Sequence, residues 1–387
     1  MAKWKDTLGK WAEDIEERWD NLRSELAKKL GLNDPVQIIP YRSYGTPRRI
    51  YIKGRVLEDK GIAAAGDKDT IWNNLLNMYK RFESDEVRGA RLKAQLPGEV
   101  HEVTTDSEGY FVLNLNPLTP IIRESLWHAV PLQLIDAPIP FASSVQAVAE
   151  VMIPPPDAEY GIISDIDDTI VKTTATNLLA MSRTTFLNNA KTRLPFAGVA
   201  EFYKALQLGR NGKRNNPFFY VSSSPWNLYD LLRDFLDLNS IPEGPLLLRD
   251  FGSNKKPKGD PHMNHKYKEI CQIFETYPHL NFVLVGDSGQ EDPNIYREVT
   301  KNYPGRVLAV YIRDVLLPER KRVAEEIGQS FSEYKTEMVI VENTVEAAEH
   351  AAKTGLIFTE AIPAIEQDKK EDKGQEPGKE EATMLEQ

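Results

Sequence analysis

The chain has 387 residues, of which 41% are hydrophobic and 27% are charged, a balance typical of globular proteins long enough to build two hydrophobic cores. Its formal net charge of −10 at pH 7 argues against nucleic acid as a partner, because phosphate backbones bind to basic protein faces. No stretch approaches the roughly 20 apolar residues that a membrane-spanning helix needs, and the first residues lack the apolar core of a signal peptide. We therefore expect a cytoplasmic protein that meets a membrane only at its surface. The sequence carries no pattern that specifies an oligomeric state.

The first 32 residues show a helical pattern, because their apolar side chains are spaced alternately by three and four positions. These side chains are Trp4, Leu8, Trp11, Ile15, Trp19, Leu22, Leu26 and Leu30. The spacing predicts one amphipathic helix over residues 1–32. This helix either docks onto protein or places its tryptophans in a lipid interface. Its polar face mixes both charge signs, whereas interfacial helices carry a basic face, so docking is favoured.

Residues 36–152 change to a β pattern. Apolar and polar side chains alternate over residues 50–56 and 110–115, and the turn signal Asp-Ser-Glu-Gly stands at 106–109. A helical patch at residues 71–79 interrupts the strands. We predict a small antiparallel β-sandwich. Its acidic and histidine residues form no catalytic pattern, so we expect this domain to place or recognise a substrate.

Residues 158–360 alternate between strands and helices, which predicts an α/β domain with a Rossmann-like parallel sheet covered by helices on both faces. Strands are predicted at residues 161–164, 218–222, 245–248, 282–286, 307–312 and 338–341, and a helix capped by Gly355 is predicted at 344–353. The residues after Ile365 are charged and almost free of apolar side chains. This composition predicts a disordered tail over residues 366–387.

Polar residues follow the predicted strands at their carboxyl ends, where open α/β sheets bind ligands. Asp165 and Asp167 begin an Asp-x-Asp-x-Thr motif that ends at Thr169. Two carboxylates two residues apart can divide the work of catalysis, one attacking and one transferring protons. The motif alone is equally compatible with a turn and a helix cap. Further polar groups follow the next strands or open a helix: Ser222, Ser223, Ser224, Lys266, Asp287 and Asp292.

This order of a carboxylate pair, a hydroxyl, a lysine and a second acidic cluster resembles the haloacid dehalogenase superfamily of phosphatases. Three motifs are similar to the catalytic domain of the actin-patch-associated phosphatidate phosphatases: Ser-Asp-Ile-Asp-Asp-Thr at 164–169, Tyr-Val-Ser-Ser-Ser-Pro-Trp at 220–226 and Gly-Asp-Ser-Gly-Gln at 286–290. Upstream, Tyr-Arg-Ser-Tyr-Gly at 41–45 resembles bacterial members of that family. The resemblance extends from about Tyr41 to about Leu356.

The resemblance implies a specific chemistry for the acidic residues. Asp165 would attack phosphorus and form an aspartyl-phosphate, and Asp167 would protonate the leaving group and then accept a proton from water. The resemblance also implies a Mg²⁺ ion bound by Asp165, by the backbone carbonyl of Asp167 and by Asp287. Asp292 would complete the metal shell, and Glu291 is the alternative for this position.

The resemblance further implies that Ser222 donates a hydrogen bond to the phosphoryl oxygens and that Lys266 neutralises the nucleophile and the transferring group. Ser223 is a second candidate for substrate binding, and Thr169 is a candidate catalytic residue as the last residue of the Asp-x-Asp-x-Thr motif. Lys266 has several rivals nearby. They are Lys255, Lys256, Lys258, His262, His265 and Lys268.

The predicted function is therefore that of a Mg²⁺-dependent phosphatase that converts phosphatidate to diacylglycerol and inorganic phosphate at a membrane surface. The intervals from Asp165 to Ser222 and from Ser222 to Lys266 leave no room for a large cap domain, and an open site suits a substrate presented on a membrane. One alternative is a phosphatase of another phosphomonoester, soluble or polymeric. Another is a non-catalytic binding protein on a phosphatase fold, against which the complete set of carboxylates argues.

Overall fold

The computed structural model describes residues 36–58, 85–121, 125–141, 145–166, 197–249 and 261–374. The predicted amphipathic helix of residues 1–32, the helical patch at 71–79 and residues 375–387 of the predicted tail lie outside the described residues. Within the described ranges, no helix combines the length and the apolar character that crossing a bilayer requires.

Eight strands form a mostly antiparallel sheet in the first part of the chain. They are β1 (Val36–Pro40), β2 (Ser43–Thr46), β3 (Arg49–Glu58), β4 (Arg91–Leu96), β5 (Glu99–Thr104), β6 (Tyr110–Leu115), β7 (Trp127–Asp136) and β8 (Gln146–Met152). Their order is β1-β3-β2-β8-β7-β4-β5, and β6 pairs with β3. Hydrogen bonds join all eight strands into one sheet. The predicted β-sandwich would divide these strands into two packed layers, and that division stays a prediction.

Alternation of apolar and polar side chains explains why these segments are strands. In β6, Phe111, Leu113 and Leu115 are buried, while Val112 and Asn114 between them are exposed. Successive side chains of a strand point to opposite faces, so β6 turns one face to the hydrophobic core and one to solvent. The strands predicted at 50–56 and 110–115 are confirmed, and β3 and β6 pair with each other in antiparallel register.

Six strands form a parallel sheet in the second part of the chain. They are β9 (Gly161–Ser164), β10 (Phe218–Pro225), β11 (Leu246–Arg249), β12 (Phe282–Asp287), β13 (Val307–Arg313) and β14 (Glu337–Val341). The helices of the same region are α1 (Val199–Leu208), α2 (Tyr229–Leu238), α3 (Pro261–Thr276), α4 (Asp292–Asn302), α5 (Pro318–Gln329), α6 (Thr344–Lys353) and α7 (Ile362–Gly374). The predicted α/β architecture with a parallel sheet is confirmed.

Helices cover both faces of the parallel sheet, which explains its continuous apolar strands. All four residues of β9 are buried. Ile162 belongs to a hydrophobic cluster that contains residues of α1, α2, α6 and α7. Ile163 belongs to the cluster on the opposite face, to which α3, α4 and α5 contribute. A strand buried on both faces needs apolar residues at successive positions.

The strand order determines where a site can form. The order is β11-β10-β9-β12-β13-β14, so the chain moves outward from β9 in one direction and then from β12 in the other. The connections therefore diverge between β9 and β12, and parallel α/β sheets bind ligands at the carboxyl ends of strands beside such a switch point. Asp165 directly follows β9, and Asp287 ends β12.

The antiparallel sheet packs against both hydrophobic clusters of the parallel sheet. Tyr41 stacks on Trp226 at a ring-centroid distance of 5.1 Å and belongs to the first cluster. Tyr44 and Met152 belong to the second cluster. The two sheets therefore share buried apolar surface, which couples their stabilities.

The predicted disordered tail is wrong for residues 366–374, because α7 includes them. Ile365 anchors this helix in the first hydrophobic cluster. Two carboxylates of α7 then bind the amino-terminal end of α1: Asp372 Oδ2 accepts a hydrogen bond from Gly198 N at 2.8 Å, and Asp368 Oδ2 accepts one from Glu201 N at 3.2 Å. Charged residues that composition assigns to solvent thus satisfy the first backbone N–H groups of a helix.

Candidate active site

Three carboxylates converge where β9 and β12 end. Asp165, Asp287 and Asp292 each offer an oxygen atom, and these atoms lie within 4.8 Å of one another. All three residues are buried. Buried carboxylates at this separation repel each other strongly, and a cation between them removes that cost. The group is therefore a candidate metal centre.

The ends of the two strands hold the first two carboxylates. The Asp165 backbone N–H donates to the carbonyl oxygen of Val285 at 2.9 Å, which continues the ladder between β9 and β12 by one residue. Asp287 Oδ1 accepts hydrogen bonds from the backbone N–H groups of Gly289 at 2.6 Å and Gln290 at 3.0 Å. The turn after β12 therefore fixes the orientation of the Asp287 carboxylate.

Asp292 reaches the group from the first turn of α4. Its Oδ2 accepts a hydrogen bond from the Asp287 backbone N–H at 3.2 Å. This approach requires a glycine at position 286, because a Cβ there would lie 2.6 Å from Asp292 Oδ2. The alternative, Glu291, accepts a hydrogen bond from Asn294 Nδ2 at 2.9 Å and is not part of the carboxylate group. The geometry thus favours Asp292 over Glu291 as the candidate ligand.

Lys266 of α3 joins the carboxylates and is only 3% exposed. Its Nζ lies 2.7 Å from Asp165 Oδ1 and 2.8 Å from Asp292 Oδ1, and it also donates to Gln290 Oε1 at 3.3 Å. Burial favours the neutral amine, but the two ion pairs outweigh burial and raise the pKa of Lys266 above its usual value. Lys266 therefore stays protonated between the carboxylates of Asp165 and Asp292.

The rivals of Lys266 have different positions. Lys268 is exposed, and His265 is half-buried. Three further lysines, Lys255, Lys256 and Lys258, lie outside the described residues, and the His262 side chain is not described either. Of Lys266 and its two described rivals, Lys266 alone is paired with the carboxylate group.

Ser222 lies in β10, beside β9, and is fully buried. The pairing of Tyr220 with Ser164 places Ser222 and Asp165 just beyond this register, at the same edge of the sheet. Ser222 Oγ accepts a hydrogen bond from the Ser224 backbone N–H at 2.9 Å, so the backbone two residues further along β10 holds this hydroxyl in place. Ser223 is half-buried. Asp167 and Thr169 lie outside the described residues, and their roles stay predictions.

His265 is a feature of the site that the sequence presented only as a rival to Lys266. Burial lowers the pKa of His265 to about 4, although backbone hydrogen bonds with Leu247 and Ser222 act in the opposite direction. The imidazole is therefore neutral at physiological pH and links α3 to β10 and β11. Its position next to Lys266 in the sequence was a signal that His265 lies near the site. The sequence did not indicate that its partners would be the backbone of β10 and β11.

The donor set fits a hard divalent cation. Asp165, Asp287 and Asp292 supply carboxylate oxygens, and Mg²⁺ prefers a few carboxylates together with water and substrate oxygens. These donors do not include the histidine or cysteine side chains that zinc sites commonly use.

Comparison with known proteins places the site within a recognised segment. Residues 160–314 match the model of the family described as phosphatidate phosphatase APP1, catalytic domain. Over 155 residues the chain is 35% identical to phosphatidate phosphatase APP1 of Saccharomyces cerevisiae, a match that covers 40% of this chain and 25% of that protein. An uncharacterized protein of Schizosaccharomyces pombe is 29% identical over 157 residues, with the same shares covered. The matches thus span about a quarter of the length of these relatives.

Proposed function

We propose that this protein is a Mg²⁺-dependent phosphatase that hydrolyses phosphatidate to diacylglycerol and inorganic phosphate. One observation carries the proposal: three buried carboxylates and a buried lysine converge at the carboxyl edge of the parallel sheet. This edge lies within the segment that is similar to the catalytic domain of phosphatidate phosphatase APP1. The proposal includes a haloacid dehalogenase-type catalytic domain over residues 158–360 and a β-sandwich over residues 36–152.

In this proposal Asp165 is the nucleophile. One of its carboxylate oxygens forms a bond to phosphorus while the bond from phosphorus to the diacylglycerol oxygen breaks, which gives an aspartyl-phosphate. Lys266, 2.7 Å from Asp165 Oδ1, holds the carboxylate in position through an ion pair. A Mg²⁺ ion held by Asp165, Asp287 and Asp292 would supply positive charge against the phosphoryl oxygens.

Proton transfer is assigned to Asp167. It donates a proton to the departing diacylglycerol oxygen and then accepts one from the water that attacks the aspartyl-phosphate. The products are inorganic phosphate and regenerated Asp165. Ser222 and Ser223 donate hydrogen bonds to the phosphoryl oxygens, and Thr169 completes the motif.

The substrate in this proposal is inferred from similarity, because the Saccharomyces cerevisiae relative is a phosphatidate phosphatase. The expectations of a cytoplasmic protein and of peripheral membrane contact belong to the same proposal. A phosphatase of another phosphomonoester would have the same carboxylates and lysine, so substrate preference must be measured directly.

The test is phosphate release by the purified full chain. We expect activity on phosphatidate in mixed micelles to exceed activity on water-soluble monoesters, to stop in EDTA and to return with Mg²⁺. Preference for a soluble ester would support a phosphatase of another phosphomonoester, and no release from any ester would favour a binding protein.

A matched pair of variants tests which acidic residue binds the metal. Asp292→Asn should raise the Mg²⁺ concentration for half-maximal activity by about tenfold or more, whereas Glu291→Gln should not.

A further inference from the structure

Two adjacent leucines are exposed on the loop that follows β13. Leu316 is 75% exposed and Leu317 is 54% exposed. Five consecutive residues, 316–320, are exposed at this point. Single exposed apolar residues are common on protein surfaces, but adjacent large ones on a fixed loop are a feature of interaction surfaces.

The loop is attached to the candidate active site. The Ser288 backbone N–H donates to the carbonyl oxygen of Arg313 at 2.9 Å, and the Val315 backbone N–H donates to Ser288 Oγ at 3.1 Å. Gly289, whose N–H binds Asp287, also packs near Val315, since a Cβ on Gly289 would lie 3.3 Å from that side chain. The two leucines thus directly follow a residue that contacts the turn holding the Asp287 carboxylate.

The loop holds the leucines in a defined and strained conformation. Leu316 has a φ of 63°, in the left-handed region that residues with a Cβ rarely adopt. Buried Asp314 fixes this conformation: its Oδ1 accepts from the Leu316 backbone N–H at 2.8 Å, and its Oδ2 pairs with Lys321 Nζ at 3.0 Å. Strain of this kind is retained at functional positions, where the surrounding structure compensates for it.

Basic residues adjoin the exposed leucines. Four basic and two acidic residues lie between Arg313 and Val323, although the whole chain has a net charge of −10. The side chains of Arg320 and Arg322 are exposed, and their nearest carboxylates, on Glu291 and Glu326, lie 3.9 Å away. Exposed ion pairs at such distances are weak, so both guanidinium groups can bind other anions.

We propose that residues 315–323, here called the leucine rim, dock the active site onto a bilayer that contains anionic phospholipid. Leu316 and Leu317 enter the boundary between headgroups and acyl chains, and Arg320 and Arg322 bind the headgroup phosphates. The partner is assigned by this combination of apolar insertion and positive charge. The inference rests on the proposed function, because docking here brings a lipid phosphate to the carboxylates.

Vesicle binding of the full chain tests the leucine rim. The probe is co-sedimentation with vesicles of equimolar phosphatidylcholine and phosphatidylglycerol, a lipid mixture that is not the proposed substrate. We expect Leu316→Ser combined with Leu317→Ser to lower the partition coefficient by about tenfold or more. Leu118→Ser is the matched control, because Leu118 is 80% exposed at a distance along the chain and should leave partition unchanged.

A second variant separates docking from folding. Leu316→Gly removes the side chain and also relieves the positive φ, so its thermal unfolding midpoint should equal or exceed that of wild type. Its partition onto vesicles should nevertheless fall. A loss of binding without a loss of stability cannot come from unfolding of the protein.

Enzyme assays distinguish failure of the leucine rim from failure of the proposed function. The ratio of activity on phosphatidate vesicles to activity on a short soluble monoester should fall in the double variant. Equal partition of wild type and double variant would overturn the docking proposal, even if phosphatidate is hydrolysed. Wild-type binding to vesicles of phosphatidylcholine alone with the same affinity would overturn the role of the arginines. Self-association that the double variant abolishes, without vesicle binding by wild type, would show that a second copy covers the leucines instead.

Discussion

Lys266 is the residue on which the charge balance of the site depends, because its ammonium lies between Asp165 and Asp292. In the absence of metal, Lys266→Met should lower the free energy of unfolding by about 3–5 kcal/mol, since it leaves buried carboxylates without their shared cation. Mg²⁺ should restore part of this loss. Denaturant titrations in EDTA and in Mg²⁺ measure both effects.

The control for Lys266 lies two positions along the same helix. Lys268 is exposed, so Lys268→Met should change stability by less than about 1 kcal/mol. If the two variants had the same stability, the ion pairs of Lys266 would not contribute to folding.

His265 makes stability depend on pH. Its pKa is about 4 in the folded protein, against about 6.5 for an unfolded histidine, because burial disfavours the imidazolium. Only the unfolded chain gains a proton as pH falls from 6.5 toward 4. The stability that the neutral imidazole provides is therefore complete above pH 6.5 and is lost as pH falls through the folded pKa. Between pH 7 and pH 5 this loss should be about 2 kcal/mol.

Paired unfolding titrations check this dependence. His265→Gln should reduce the difference in unfolding free energy between pH 7 and pH 5 by about 2 kcal/mol. An unchanged pH difference in the His265 variant would mean that this imidazole is protonated in the folded state.

Position 286 shows how one strand end, one turn and one helix depend on each other. A Cβ on Gly286 would meet Asp292 Oδ2 at 2.6 Å and the Tyr296 ring at 2.9 Å. Gly286→Ala should therefore displace the start of α4 and lower activity by about a hundredfold. Gly328→Ala within α5 would meet only the mobile end of Met338, at 3.0 Å, and should retain activity with equal or higher stability. Steady-state rates and thermal unfolding of the two variants provide the comparison, and full activity in Gly286→Ala would refute the close packing.

The strands could be predicted from the sequence because buried parallel strands are short apolar runs with polar residues at their ends. The strand predicted at 161–164 matches β9, and the helix predicted at 344–353 matches α6. That helix begins after Asn343, whose side chain accepts a hydrogen bond from Val345 N, and Gly355 follows it with a φ of 79°. These signals depend on residues close to each other in the sequence, so they can be recognised without knowledge of the tertiary structure.

The residue pattern alone could not decide between neighbouring residues, and the preferences for Lys266 and Asp292 came from the resemblance. Lys266 and Lys268 differ in which side of α3 packs against β10, and Asp292 and Glu291 differ in where α4 begins. Both depend on long-range packing that a single sequence does not specify. The same limit applies to α7, whose Asp368 and Asp372 bind the start of a helix more than 160 residues away.

Arg42 connects the two sheets. It lies between β1 and β2, and its guanidinium forms two hydrogen bonds with Asp237 of α2, at 2.9 and 3.1 Å, and an ion pair with Glu243 at 3.2 Å. The Arg42 backbone N–H also donates to Tyr229 Oη at 2.6 Å. Because both sheets share hydrophobic clusters, we expect wild type to unfold in one cooperative transition.

Arg42→Met should lower the free energy of unfolding by about 3 kcal/mol, because the bidentate pair is largely buried on the arginine side. Arg91→Met is the control: Arg91 is half exposed and lies 3.6 Å from Asp136, so its loss should cost less than about 1 kcal/mol. Urea titrations followed by tryptophan fluorescence and circular dichroism measure the two variants. Separate transitions for the two signals in wild type would contradict the coupling between the sheets.

In the proposed mechanism, Asp165 attacks phosphorus at a metal-dependent phosphatase site. The most direct measurement is phosphate release from phosphatidate in mixed micelles with Mg²⁺, by wild type and by Asp165→Asn side by side. A carboxamide has nearly the same volume as the carboxylate but cannot attack, so the variant should fold and lose activity by about a thousandfold or more. A folded variant that keeps more than about a tenth of the wild-type rate would contradict the claim.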